Sequence, residues 1–148
     1  MGNRIVICPG CQAKNRVPQE RLGERPLCGR CRYPLPSSPA FPEAPVEVFD
    51  WNFKDEVLDF AGPVLVEFYA PGCGYCQRLA PVIYQLAREY AGSVKVAQVN
   101  IDLNAHRSSE YGIRSTPSLF FFRSGKLVDR LTGAHSKEEI ERHLRSIL

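Results

Sequence analysis

The sequence predicts an α/β fold, a mixed sheet with helices on both faces, preceded by a small cysteine-rich module. Three observations carry this reading. Beyond residue 45, apolar patterns alternate between strand and helix periods. Residues 34–45 hold five prolines in twelve positions, the composition of a semi-rigid, extended linker. All six cysteines fall into three C-x-x-C pairs, two before that linker and one after it. The expected organisation is a module at residues 1–33, a linker at 34–45 and a domain at 46–148.

The 148 residues suffice for one ordinary domain plus an appendage. Hydrophobic residues make up 44% and charged residues 24%, which is ordinary for a soluble globular chain. The net charge of +3 is unevenly spread. Residues 1–45 carry seven Lys/Arg against three Asp/Glu, and residues 46–148 carry twelve against thirteen. So mild an excess around four cysteines reads as a solvated surface rather than a nucleic-acid interface. No apolar stretch approaches the ~20 residues that span a bilayer, so no membrane partner is expected. Met1–Cys8 has no charged segment followed by a long apolar core, and a secretory signal is not expected. Val6 stands where an acylation motif at Gly2 would need Ser or Thr. The cysteines are therefore expected in a reducing cytoplasm, where metal ligation or catalysis outranks a disulfide framework.

Val46–Phe49 alternates like an edge strand. Asp50 is placed to cap a helix over Trp51–Phe60 with Phe53, Val57 and Leu58 on its apolar side. Val64–Tyr69 is a near-continuous apolar run, as a central strand covered on both faces requires. A long helix follows over Cys73–Tyr90, with Leu79, Ile83 and Leu86 at helical spacing and a kink expected at Pro81. Val94–Ile101 reads as a buried strand, Asn104–Tyr111 as a short helix, and Ser118–Phe122 as a strand turning at Ser124-Gly125 into Lys126–Thr132. Ser136 and Glu139 form a capping box that opens the last helix, Lys137–Leu148. Joining strands by helices demands right-handed crossovers and parallel pairing, whereas the closing hairpin is antiparallel.

Cys8/Cys11 and Cys28/Cys31 are separated by sixteen residues, the spacing of a four-cysteine zinc ribbon or knuckle. Each C-x-x-C turn places two sulfurs on one side of a tight loop, and two facing turns complete a tetrahedron of thiolates. Four protein ligands leave no open coordination position, so one structural Zn2+ is expected, with iron as the competitor. Ile5, Val6, Ile7, Val17, Leu22 and Leu27 are too few to fold this module alone, and the metal is expected to supply the folding free energy.

Cys73-Gly74-Tyr75-Cys76 lies where a strand ends and a helix begins. Unpaired N–H groups and the macrodipole at a helix N-terminus favour an anion, which lowers the pKa of the first thiol. Cys73 is thus the expected nucleophile, and Cys76, one turn further in, the thiol that resolves a mixed disulfide. Gly72 and Gly74 leave the approach to Cys73 open.

The segment Phe68-Tyr69-Ala70-Pro71-Gly72-Cys73-Gly74-Tyr75-Cys76 with Leu79-Ala80-Pro81 resembles the active-site segment of thioredoxins. Val99-Asn100-Ile101-Asp102, Tyr111-Gly112-Ile113-Arg114-Ser115-Thr116-Pro117 and Phe122…Gly125-Lys126…Gly133 continue the likeness in order over residues 46–148. The two leading cysteine pairs further resemble the zinc-bearing bacterial class, thioredoxin-2. The resemblance implies the thioredoxin fold and reduction of protein disulfides through Cys73/Cys76, with recycling by an NADPH-dependent flavoprotein, thioredoxin reductase. It implies that Pro117 follows a cis peptide bond and faces the dithiol, so that the Thr116 backbone pairs with a substrate strand. It implies that Glu67 is the buried acid that shuttles a proton to or from Cys76. Arg78 and Arg114 are expected to flank the groove, and the chain is expected to act as a monomer. No glycine-rich dinucleotide fingerprint occurs, so no nicotinamide or flavin is expected on the chain itself.

The sequence departs from the family pattern at five positions: Glu67 for Asp, Gly72 and Tyr69 for Trp, Tyr75 for Pro, and Gln98 for Lys. The dipeptide between the cysteines tunes redox poise, and Gly-Tyr also occurs in disulfide isomerases of the same superfamily. A disulfide isomerase or oxidase therefore stands as one alternative, and a zinc-dependent binding module on a thioredoxin-like scaffold as another.

Overall fold

In the computed structural model, which describes residues 3–8, 10–18, 26–35 and 42–148, the chain divides into two compact units, residues 1–40 and 41–148. In the first, β1 (Asn3–Ile7) and β2 (Lys14–Pro18) form an antiparallel hairpin. Alternation along these strands buries Val6 and Val17 beside Cys8, Cys28 and Leu35. Among the described residues nothing covers the other face of the hairpin, and Ile5, Ile7 and Leu27 are more than half exposed. Of the six apolar residues counted for the module, three are thus surface residues and Leu22 lies outside the described residues, so the module's apolar core is as small as expected. Leu35 adds to it. Pro34 bridges to Leu27 and the Leu35 N–H donates to the Pro26 carbonyl, so these two residues extend the module past residue 33. Residues 36–41 of the expected linker lie outside the described residues.

The second unit is a five-stranded sheet in the order β3-β5-β4-β6-β7. Its strands are β3 (Val46–Glu47), β4 (Pro63–Tyr69), β5 (Lys95–Asn100), β6 (Ser118–Arg123) and β7 (Lys126–Thr132). Central β4 pairs parallel with β5 and antiparallel with β6, which makes the sheet mixed as expected. Leu65, Val96, Leu119 and Phe121 face helices α1 (Gly74–Glu89) and α3 (Lys137–Leu144) in one core cluster. Val64, Val66, Phe68, Phe120 and Phe122 form the other with Phe53, Val57 and, from the end of α2 (Ala105–Glu110), Tyr111. Every side chain of β4 from Val64 to Phe68 is buried, which is why its sequence shows no alternation. Ser136 accepts the Glu139 N–H at 3.2 Å at the start of α3, as the capping box requires.

The expected helix over Trp51–Phe60 is only a π-helical turn, Lys54–Leu58. Asp50 does not cap it: its carboxylate instead accepts the His106 and Arg107 N–H groups, both at 3.1 Å, at the start of α2. The Asn52 side chain meanwhile takes the Phe49 N–H at 2.7 Å, which ends β3 two residues before its expected limit. The turn is anchored by buried Lys95, which pairs with Glu56 and lies over the Phe60 ring. α1 runs through Pro81 as one helix.

Gly125 turns β6 into β7 at φ +81°, and a Cβ there would lie 2.1 Å from the Leu58 carbonyl oxygen. Gly125→Ala combines a left-handed backbone with a clash against fixed backbone, and should cost roughly 2–3 kcal/mol. Urea unfolding reads this as a lower midpoint at an unchanged slope. An unchanged midpoint would show that the turn relaxes freely.

Candidate active site and metal centre

Strand β4 ends at Tyr69, and the turn Ala70–Gly72 delivers Cys73 to the N-cap of α1. The Cys73 Sγ accepts the Cys76 N–H at 3.1 Å and lies 3.4 Å from the Thr116 carbonyl oxygen. As a thiol it donates to that carbonyl; as a thiolate it keeps the helix N–H. Partial burial opposes ionisation of Cys73. The Cys76 thiol, Thr116 and the N–H groups of Cys76 and Tyr75 outweigh it and hold the Cys73 thiol below its usual value. Cys76 is buried, and burial together with the neighbouring Cys73 pushes its thiol up to about 11. None of the six cysteines is in a disulfide.

The Thr116–Pro117 bond is cis, and the Thr116 backbone lies against Cys73. On the outer side, a Cβ at Gly72 would touch nothing within 4 Å, and one at Gly74 would meet only the Arg78 guanidinium at 3.8 Å. Tyr75 is exposed, with the Arg78 guanidinium 4.8 Å from its ring centre. Arg114 is exposed on the loop that leads to Thr116.

Glu67 is 1% exposed. It lies two residues along β4 from Leu65, which clusters with Leu79 and Ile83, so Glu67 shares the sheet face that α1 covers. The Gln98 Nε2 donates to its Oε1 at 2.8 Å. Glu47, directly across from Gln98 in the ladder, accepts the Tyr69 hydroxyl at 2.9 Å. Burial raises the Glu67 pKa, the Gln98 hydrogen bond pulls it partly back, and the Glu47 charge raises it further. Because the folded-state pKa lies above the unfolded one, folding favours protonated Glu67. Relative to a neutral side chain, the wild type loses stability as pH rises from about 4.3, the ordinary glutamate value, through the raised pKa. Glu67→Gln should therefore gain on the wild type in urea midpoint between pH 4 and pH 8; a difference that stays constant with pH would refute the raised pKa.

In the first unit, the four sulfurs of Cys8, Cys11, Cys28 and Cys31 lie within 4.8 Å of one another. Cys8–Cys31 is 3.5 Å and Cys11–Cys28 is 3.7 Å. A tetrahedron with metal–sulfur bonds of about 2.3 Å has edges of about 3.8 Å, so the cluster has the right dimensions. The two knuckles are built alike. The Cys8 N–H donates to Ala13 and Gln12 donates back to Cys8; the Cys28 N–H donates to Tyr33 and Arg32 donates back to Cys28. Gln12 and Arg32, each following a knuckle's second cysteine, share a φ of +66°. Gly10 and Arg30 N–H groups point at the Cys8 and Cys28 sulfurs at 3.3 and 3.4 Å. The N–H groups of Cys31 and Arg30 draw the Cys28 thiol down to about 6. Cys31 fares otherwise: the Tyr33 N–H pulls it down, but burial and three neighbouring sulfurs push it up to about 12. Four thiolates this close need a cation, and the donor set suits a soft divalent metal.

Two features of the site carry no sequence motif. Asn15 steadies the cluster by donating to the Cys28 Sγ at 3.5 Å and accepting the Gly29 N–H at 2.9 Å. The placement of Glu47 across from Gln98 follows only from strand register, whereas Gln98 stands where the family pattern puts a Lys beside the buried acid.

Residues 44–146 match the family model Thioredoxin, and residues 7–32 match the model Thioredoxin 2, N-terminal. Thioredoxin 1 of Nostoc sp. is 47% identical over 105 residues, covering 68% of this chain and 98% of that protein. Thioredoxin of Synechocystis sp. is 44% identical, covering 69% and 95%, and that of Porphyra purpurea 46%, covering 64% and 89%. The chain belongs to the thioredoxin family of thiol–disulfide oxidoreductases, which reduce protein disulfides. Its zinc-ribbon-like module precedes that domain.

Proposed function

We propose that the chain is a cytoplasmic, monomeric protein-disulfide reductase in which Cys73 attacks, Cys76 resolves, and Glu67 exchanges the proton of Cys76. The observation that carries this is the asymmetry of the dithiol. The Cys73 sulfur is accessible and held at the N-terminus of α1, and the Cys76 sulfur is buried behind it. The Cys73 thiolate attacks one sulfur of the substrate disulfide; that S–S bond breaks, and the other sulfur leaves as a thiolate and takes a proton. Cys76 then gives up its proton and attacks the Cys73 sulfur. This closes a Cys73–Cys76 disulfide and releases the second substrate thiol. Two electrons and two protons pass to the substrate. Raised by burial, Glu67 is suited to accept the Cys76 proton. Gly72, Gly74, Tyr75, Thr116 and Pro117 form the groove in which an extended substrate lies. Thioredoxin reductase returns the pair to dithiol, by family likeness.

One Zn2+ per chain, held by Cys8, Cys11, Cys28 and Cys31, would serve structure only, because four protein ligands leave no open position. Among the described residues no helix is long and apolar enough to cross a membrane. The test is reduction of insulin disulfides by the full chain with NADPH and a generic thioredoxin reductase, run beside metal analysis. Turnover with one equivalent of zinc is expected. Exchange that only scrambles disulfides, without net consumption of NADPH, would favour the isomerase reading. Iron in the metal analysis would overturn the zinc assignment.

A further inference from the structure

The loop whose Thr116 carbonyl meets Cys73 also lines an open pocket of about 200 Å³, through Arg114 and Ser115. Phe120 and Ser118 of β6 form its floor, and Arg130 and Thr132 of β7 one wall. In the ladder Ser118 faces Thr132 and Phe120 faces Arg130, so these four side chains share one sheet face. Arg114 and Ser115, from the loop before β6, line the pocket as well. Two arginines therefore line one pocket, and among the described residues no carboxylate does. The acids adjacent in sequence are committed elsewhere. Asp129 bonds His143 at 2.5 Å, and Glu110 bonds Arg107 at 2.8 Å. Among the described residues neither Arg114 nor Arg130 has an ion-pair partner or a side-chain hydrogen bond. The Ser118 hydroxyl is donated to the Ser115 carbonyl at 2.8 Å, which leaves the guanidinium groups as the pocket's strong donors.

We propose that this pocket is a specificity subsite for an acidic side chain flanking the reactive cysteine of a protein disulfide substrate, with Arg114 and Arg130 as its cation pair. The inference rests on the reading that Cys73 attacks a substrate lying against Thr116. Ser115 immediately precedes Thr116, and consecutive Cα atoms are about 3.8 Å apart. A substrate strand advances about 3.3 Å per residue, so a side chain one or two positions from the substrate cysteine reaches the pocket. A glutamate would lay its methylenes on Phe120 and its carboxylate between the two arginines. A basic side chain would meet two like charges.

The test uses three disulfide peptides identical except for Glu, Gln or Lys two residues from the cysteine, each reduced by the prereduced full chain. Second-order rate constants should run Glu above Gln above Lys. The Glu-to-Gln ratio should be about three to ten, the range that two solvent-accessible ion pairs supply. It should shrink as salt rises toward about 0.5 M, where such pairs are screened. In R114Q/R130Q the ratio should fall to about one. Because the ratio is taken within one protein sample, partial unfolding of the variant cannot mimic this result. Lys126→Gln, which removes a charge from β7 outside the pocket, should leave the ratio intact. A wild-type ratio of one, or a preference that survives the double variant, overturns the subsite. If the Gln peptide is reduced by the wild type and not by Cys73→Ser while the ratio is one, the catalytic reading stands and only the subsite fails.

Discussion

Cys73→Ser is expected to leave insulin reduction at the uncatalysed background, a loss of more than about a thousandfold. No other sulfur can stand in. Cys76 is buried and its thiol is pushed up to about 11, so roughly one molecule in ten thousand carries the thiolate at pH 7. The remaining four sulfurs are gathered in the separate module. Cys76→Ser should fail differently. The first step keeps its nucleophile and its helix N–H, so the protein should accumulate as a mixed disulfide with substrate, visible as a mass increase that dithiothreitol reverses. Iodoacetamide at pH 7 should likewise label Cys73 before Cys76 in the wild type, read by peptide mass mapping. Insulin reduction that survives Cys73→Ser would mean that catalysis does not pass through this thiol, and would revive the scaffold reading.

What the sequence made legible follows from which interactions are local. The runs at Val64–Tyr69 and Ser118–Phe122 needed burial on both faces, and only a covered central sheet supplies that. The cysteine pairs were legible because C-x-x-C spacing is itself a geometric constraint. A lone charge inside an apolar run drew attention to Glu67. The family pattern already placed Gln98 beside it, but Glu47 was hidden, because it sits across from Gln98 on a strand whose register no local pattern encodes. The helix expected after Asp50 failed for the same reason: the carboxylate is spent on N–H groups more than fifty residues away. In the first module, the shortage of apolar residues was legible from composition, but not which of them a two-stranded sheet would cover: Val6 and Val17 are buried, and Ile5 and Ile7 are not. Arg130 escaped notice because only hairpin pairing sets it opposite Phe120.

Metal removal should have the second large effect, and it should be confined to one unit. The buried apolar content of the first module amounts to Val6, Val17 and Leu35 around the cysteines Cys8 and Cys28. That core cannot offset an ordering cost of about 1–2 kcal/mol per residue for the backbone. The four sulfurs, by contrast, are positioned at the dimensions of a thiolate tetrahedron, and structural zinc sites of this kind supply roughly 10–16 kcal/mol of apparent binding free energy at neutral pH. Without metal the sulfurs must be protonated or repel one another, and Cys28, drawn down to about 6, resists protonation at neutral pH. Chelation under reducing conditions, or Cys28→Ser, should therefore unfold the hairpin β1–β2 and the two cysteine knuckles and open this unit to proteolysis. The second unit carries two hydrophobic clusters of its own and should keep its thermal transition and its insulin-reducing activity. Amide spectra of the zinc-loaded and metal-free full chain separate the outcomes. Collapse of dispersion in the module's resonances alone is expected. A module that stays dispersed after complete metal loss would show that its folding does not depend on the tetrathiolate site.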